Sequence, residues 1–99
     1  MEQAGEYRYI IVELFDGAHE GSRNRIRARP LPDQWASPGI RVECPSSFRI
    51  QQNIGRLYKL WAKFKSTDTA PQLYTNRDWI PIPVTAEEAR RFIEAGEWW

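Results

Sequence analysis

The stretch from Ser22 to Pro30, SRNRIRARP, places arginine at every second position: 23, 25, 27 and 29. On extended backbone, residues two apart share a face at roughly 7 Å spacing, so Arg23, Arg25, Arg27 and Arg29 would form a track of about 20 Å. Four guanidinium groups held that close repel one another, which requires anions nearby: cross-strand carboxylates, counterions or a ligand. A helix would distribute the same arginines to both of its sides and gather nothing apolar on either. An extended strand turns Asn24, Ile26 and Ala28 to the opposite face, and strand is the expectation here.

Other residue types that do chemistry are isolated. His19 sits between Ala18 and Glu20 in the polar run DGAHEGS with no serine or cysteine nucleophile near it, and reads as an exposed loop residue. Cys44 alternates with apolar positions and precedes Pro45, the pattern of a small buried hydrophobe rather than a reactive thiol. One cysteine and one histidine cannot supply the four protein ligands of a structural zinc site. Glu87, Glu88 and Glu94 adjoin Arg90 and Arg91 on a polar helix face, and the glycines are too scattered for a phosphate loop. No catalytic residue, metal site or cofactor is therefore assigned, and the chain reads as non-enzymatic.

The elements that would position the arginines follow from periodicity. YRYIIVELF, Tyr7 to Phe15, is rich in β-branched and aromatic residues and ends at the turn pair Asp16-Gly17. Ile10, Val12 and Leu14 share its core face; Tyr7, Tyr9, Ile11, Glu13 and Phe15 share the other, which is apolar enough to be covered by something. If the arginine strand pairs with this one, Ile26 and Ala28 join that core, and the arginines stand beside Tyr7, Tyr9, Glu13 and Phe15.

Trp35 falls in the proline-bounded loop PLPDQWASPG, where a ring often folds over a cleft. IRVEC, Ile40 to Cys44, reads as a half-buried strand, and Ser46 or Ser47 could cap a short helical turn through FRIQQN. RLYKLWAKFK, Arg56 to Lys65, matches a helix face and a strand face equally; the preceding Gly55 and the following STDTAP favour strand. In LYTNRDWIPIPV, Pro81 and Pro83 cannot donate ladder bonds, so that segment belongs at an edge. TAEEARRFIEAG closes the series as a helix, with Thr85 and Glu88 in capping-box spacing, an apolar stripe of Ala89, Phe92 and Ile93, and Gly96 as its stop.

The fold class is therefore α+β: a small antiparallel β-sheet or partly open barrel of four to five strands, with one C-terminal α-helix packed against it. Ninety-nine residues suit a single globular domain over 1–99. Five tryptophans, four tyrosines and four phenylalanines argue against disorder. The polar start MEQAGE lacks the character of a secretory signal, no window approaches the ~18 apolar residues of a membrane span, and one cysteine cannot form an internal disulfide; the expected setting is cytoplasmic.

Charge is unevenly placed, since residues 21–65 carry ten of the fourteen basic side chains and two of the thirteen acids. Rings and guanidinium groups on one open sheet face suit an acidic partner, with single-stranded nucleic acid the most specific candidate through Arg23, Arg25, Arg27, Arg29, Tyr7 and Tyr9. The alternative is an accessory protein that self-associates as a homodimer through Phe15, Trp98 and Trp99, because two indoles at a chain end, each with about 150–250 Å² to bury, are costly to leave in water.

Overall fold

A computed structural model of the chain describes residues 6–17, 25–44, 47–65, 72–76, 78–96 and 98. Along the described residues run β1 (Arg8–Asp16), β2 (Ile26–Pro30), β3 (Arg41–Glu43), β4 (Leu57–Lys65), β5 (Gln72–Thr75), β6 (Ile82–Val84) and α1 (Ala86–Ala95). The class is α+β, as the periodicity implies, with six strands where four to five are expected. The strand order is β2-β1-β4-β5-β3, with β6 against β4. No helix among the described residues is long and apolar enough to cross a membrane.

Most pairings are antiparallel, but β3 runs parallel to β5, so the sheet is mixed. Both strands run against β4 and therefore alongside each other. The sheet curls until β2 approaches β3, leaving a nearly closed barrel. The alternation of β1 and β4 explains its interior. Ile10, Val12, Leu14, Tyr58, Leu60 and Ala62 project inward and meet Ile26, Ala28, Val42, Cys44 and Leu73 in one cluster. Arg56–Lys65 thus resolves as strand, and its Leu60 is fully buried.

β2 ends opposite Val12, so the amino-terminal half of β1 has no strand on that side. Side chains complete the ladder there. The Ile11 N–H donates to Gln34 Oε1 at 2.8 Å, and Gln34 Nε2 donates to Ile11 O at 2.8 Å and to Leu31 O at 3.0 Å. Two residues on, Trp35 Nε1 donates to Tyr9 O at 2.9 Å, while the Tyr9 N–H is held by the Trp98 carbonyl. Trp35 then packs edge-on to Phe64, with centroids 5.7 Å apart, against the core rather than over an open cleft.

The capping box of α1 forms as its spacing requires. Glu88 N–H donates to Thr85 Oγ1 at 3.0 Å and the Thr85 N–H donates to Glu88 Oε1 at 2.8 Å, while Gly96 closes the helix at φ 68°, a left-handed conformation glycine adopts without a Cβ clash. Ala89 is buried, and with Ile93 it faces Leu57 and Leu31 across a groove of about 320 Å³. Phe92 shares a second groove, of about 270 Å³, with Ile11, Lys59 and Ile82. The helix therefore lies on the outer face of β1 and β4, which accounts for an Ile11 that is fully buried although it points away from the barrel.

Pro81 and Pro83 do lie at an edge, since β6 pairs with β4 alone. Ladder bonds to Lys59 and Leu57 fall to Ile82 and Val84, which turns the proline nitrogens away from β4. The helical turn expected in FRIQQN is a 3₁₀ turn at Gln51–Asn53, but Ile50 holds its cap position with no side-chain bond; the serine cap is not made. Asn53 Nδ2 instead donates to Phe48 O at 2.7 Å. Expectations for His19, Asn24 and Ser46 lie outside the described residues.

Candidate functional site

Register decides which cations meet which rings. β2 pairs with the carboxyl-terminal half of β1, so Arg29 stands opposite Glu13 and Arg27 opposite Phe15. Arg25 makes a two-pronged ion pair with Asp16, Nε to Oδ1 at 2.8 Å and Nη2 to Oδ2 at 2.7 Å. Arg29 reaches Glu13 Oε1 at 3.2 Å, and its guanidinium lies 4.4 Å from the centre of the Phe15 ring. Arg27 also has partners of its own. Arg27 and Arg29 on β2, and Arg25 just before it, thus project against their own neighbours, and Arg23 lies outside the described residues.

Tyr7 and Tyr9 are at the far end of β1, beyond the last β2 pairing, and the structure does not bring them to the arginines. They meet β4 instead. Tyr9 is in register with Trp61, and their centroids are 4.5 Å apart; Tyr7 stacks on Trp61 at 5.9 Å with 12° between planes. From β5, Tyr74 meets Tyr7 edge-on at 6.4 Å, and Trp79, between β5 and β6, lies 5.8 Å from Tyr9 and 6.2 Å from Trp61. All five rings are half-buried.

The cations on this surface are lysines. On β4, residues 59, 61 and 63 share the outer face, so Trp61 is flanked along its strand by Lys59 and Lys63. Lys63 Nζ lies 4.8 Å from the Tyr7 centroid and 5.4 Å from that of Tyr74; Lys59 Nζ lies 4.8 Å from Tyr9 and 5.1 Å from Phe92. A hydrogen bond with the Tyr74 hydroxyl raises the Lys63 pKa, keeping it charged. The result is a continuous row, Tyr74, Lys63, Tyr7, Trp61, Tyr9, Lys59, Phe92, Trp98, in which each of the two ammonium groups sits between rings.

Neither lysine has a carboxylate partner among the described residues, in contrast to Arg25 and Arg29. Sequence reasoning missed both. The signal was present, because Lys59, Trp61 and Lys63 occupy every second position of a strand whose alternate residues are core. What it lacked was the pairing of β4 with β1.

Of the residues considered for self-association, Trp98 folds back onto Phe92, with centroids 5.3 Å apart. Phe15 is half-buried beneath Arg29 and Arg41, whose guanidinium carbons lie 4.4 Å and 4.9 Å from its ring centre. Trp99 lies outside the described residues.

Cys44 sits in the core, and its thiol is 3.6 Å from Val42 O. Burial pushes its pKa up to about 11, with Arg49 pulling it back and Glu43 adding to the rise. The folded state therefore favours the neutral thiol, whose ordinary pKa is about 8.5. Stability from this source is complete below that value and is lost as pH rises toward 11. Native protein at pH 8 is expected to leave Cys44 unlabelled by a thiol-reactive dye over hours while denatured protein labels at once; prompt native labelling would contradict the burial. Among the described residues, no group of three or more His, Cys, Asp or Glu converges as a metal site would need.

No family model, curated protein or solved structure matches this chain.

Proposed function

We propose that the outer face of β1, β4 and β5 binds single-stranded nucleic acid, as a non-enzymatic binding protein. The observation that carries this reading is the pair Lys59 and Lys63, cations without carboxylate partners among the described residues, held over a row of half-exposed rings. Rings offer stacking surfaces to unpaired bases, and ammonium groups meet phosphates. Four residues apart on one strand, the two lysines stand about 13 Å from each other, enough for two separate phosphates along an extended strand.

That count sets the test. Two neutralised phosphates give a plot of log K against log salt with a slope of about −1.4 for a single strand. Anisotropy of a labelled oligonucleotide, titrated at several salt concentrations, is expected to give that slope, falling to about −0.7 for Lys63→Ala. Absence of binding at low ionic strength, or equal competition by polyglutamate, removes nucleic acid as the partner, the second result in favour of an acidic protein.

Self-association is the second reading, supported by Ile80, 78% exposed beside the edge strand, and by Ile82 at 41%. A monomer in sedimentation at the concentrations of the binding assay discards it. A cytoplasmic setting belongs with the first reading, on the ground that the lone Cys44 is kept as a buried thiol.

A further inference from the structure

We infer that the groove between α1 and the sheet, walled by Phe92 and Glu88, takes one guanine base at the end of the aromatic row, with the Glu88 carboxylate accepting from its Watson–Crick edge. The inference rests on the nucleic-acid reading above and adds a base preference to it.

Register builds the groove. Ile11, Lys59 and Ile82 are successive partners across β1, β4 and β6, so their side chains share the outer face and form its floor. Glu88 and Phe92, four residues apart on α1, stand on one helix face and form its wall. Its volume of about 270 Å³ is just under the ~300 Å³ at which sites for drug-sized ligands begin, the scale of a single base. The groove opens to the surface, where Ile82 is 41% exposed and Glu88 is exposed. It also continues the row, because Lys59 Nζ lies between rings, 4.8 Å from Tyr9 and 5.1 Å from Phe92. A strand whose bases lie on Tyr7, Trp61 and Tyr9 and whose phosphate meets Lys59 brings its next base to Phe92.

Glu87 and Glu94 are taken up by Arg90 and Arg91, but Glu88 has no cation partner among the described residues. The capping box holds its carboxylate in place, with Oε1 accepting from the Thr85 N–H at 2.8 Å. A carboxylate has about four lone-pair sites, so most of its accepting capacity remains, on a side chain that lines the groove. Guanine suits a fixed acceptor of this kind. Its N1–H and N2 amino group are adjacent donors on the Watson–Crick edge, whereas adenine and cytosine set a ring-nitrogen acceptor beside their amino donor, and thymine and uracil flank their one N–H with two carbonyls. Those acceptors repel a carboxylate.

The experiment measures anisotropy of a labelled oligo-dT carrying one central guanine, hypoxanthine or adenine, at low salt, with wild-type protein and with Glu88→Gln. A single guanine keeps the strands from associating with one another. Wild type is expected to bind the guanine strand about tenfold more tightly than the adenine strand, the scale of one two-pronged contact. Hypoxanthine, which keeps N1–H and lacks the amino group, falls between. Glu88→Gln preserves the capping box; with Oε1 still on the Thr85 N–H, its amide presents donors in place of the second oxygen, and the guanine strand falls to the level of the adenine strand. Equal affinity of wild type for guanine and adenine, or a preference unaltered in Glu88→Gln, overturns the inference while the binding function stands. Failure of every strand to bind removes the function itself. Should Glu88→Gln unfold, wild type alone decides: weaker binding of hypoxanthine than of guanine supports the inference, and equal binding overturns it.

Discussion

Reversing both lysines, Lys59→Glu with Lys63→Glu, is expected to lower oligonucleotide affinity on the order of a hundredfold, by removing two charge-assisted contacts and adding repulsion. The matched reversal on the other strand, Arg25→Glu with Arg29→Glu, is expected to change affinity far less. Those guanidinium groups already face Asp16 and Glu13, and they project from β2 and the residue just before it, away from Tyr7, Tyr9 and Trp61. Binding curves for the two double variants at one fixed low salt decide the matter, with thermal melts confirming that each is folded. Loss of binding from the arginine reversal alone would return the site to β2 and leave the aromatic row with a packing role.

The largest effect on stability is expected from Gln34→Ala. Ile11 is fully buried, and its N–H has Gln34 Oε1 as partner. Its carbonyl is less exposed to the loss, because Leu31 N–H also donates to it at 3.1 Å. Truncating Gln34 therefore strands one buried donor, a cost of about 1–3 kcal/mol, and frees the loop that seats Trp35. Urea unfolding is expected to show a destabilisation of about 2–3 kcal/mol with little change in slope. Gln34→Glu sharpens the test, since a carboxylate can accept from Ile11 N–H but cannot donate to the carbonyls of Ile11 and Leu31. That variant is expected to regain stability as acid restores a proton to the carboxyl. A difference from wild type below about 0.5 kcal/mol for Gln34→Ala would mean that the side chain does not substitute for a strand.

Much of this fold is legible where one physical rule acts locally. The capping box of α1 requires only Thr85, Glu88 and Gly96 in order, and β1 requires only its alternation and the Asp16-Gly17 turn. Gly17 itself lies buried against Arg25 and Arg27, where a Cβ would collide with the Arg27 side chain. The edge position of Pro81 and Pro83 follows from their missing N–H groups. Legibility ends where a feature depends on two segments meeting. Nothing in RVE or QLYT says that β3 and β5 run parallel, and a loop glutamine carries no mark of pairing with Ile11. The site divides along the same line. Tyr7 and Tyr9 can be recognised as an exposed aromatic face, but their cations cannot be chosen without the register. The conspicuous arginines drew attention because they are contiguous; the pertinent lysines are separated from the tyrosines by some fifty residues and adjacent only in space.

The proline spacing of β6 has a further consequence. With the barrel nearly closed between β2 and β3, the outer side of β6 is, among the described residues, a margin left open to an incoming chain, and it is also where Ile80 and Ile82 are exposed. An apolar margin of that kind ordinarily templates runaway polymerisation into cross-β fibres. Ring nitrogens at 81 and 83 present no hydrogens there, so a neighbouring molecule finds greasy side chains but no main-chain donors to zip onto. The surface can stay sticky without becoming a seed for amyloid.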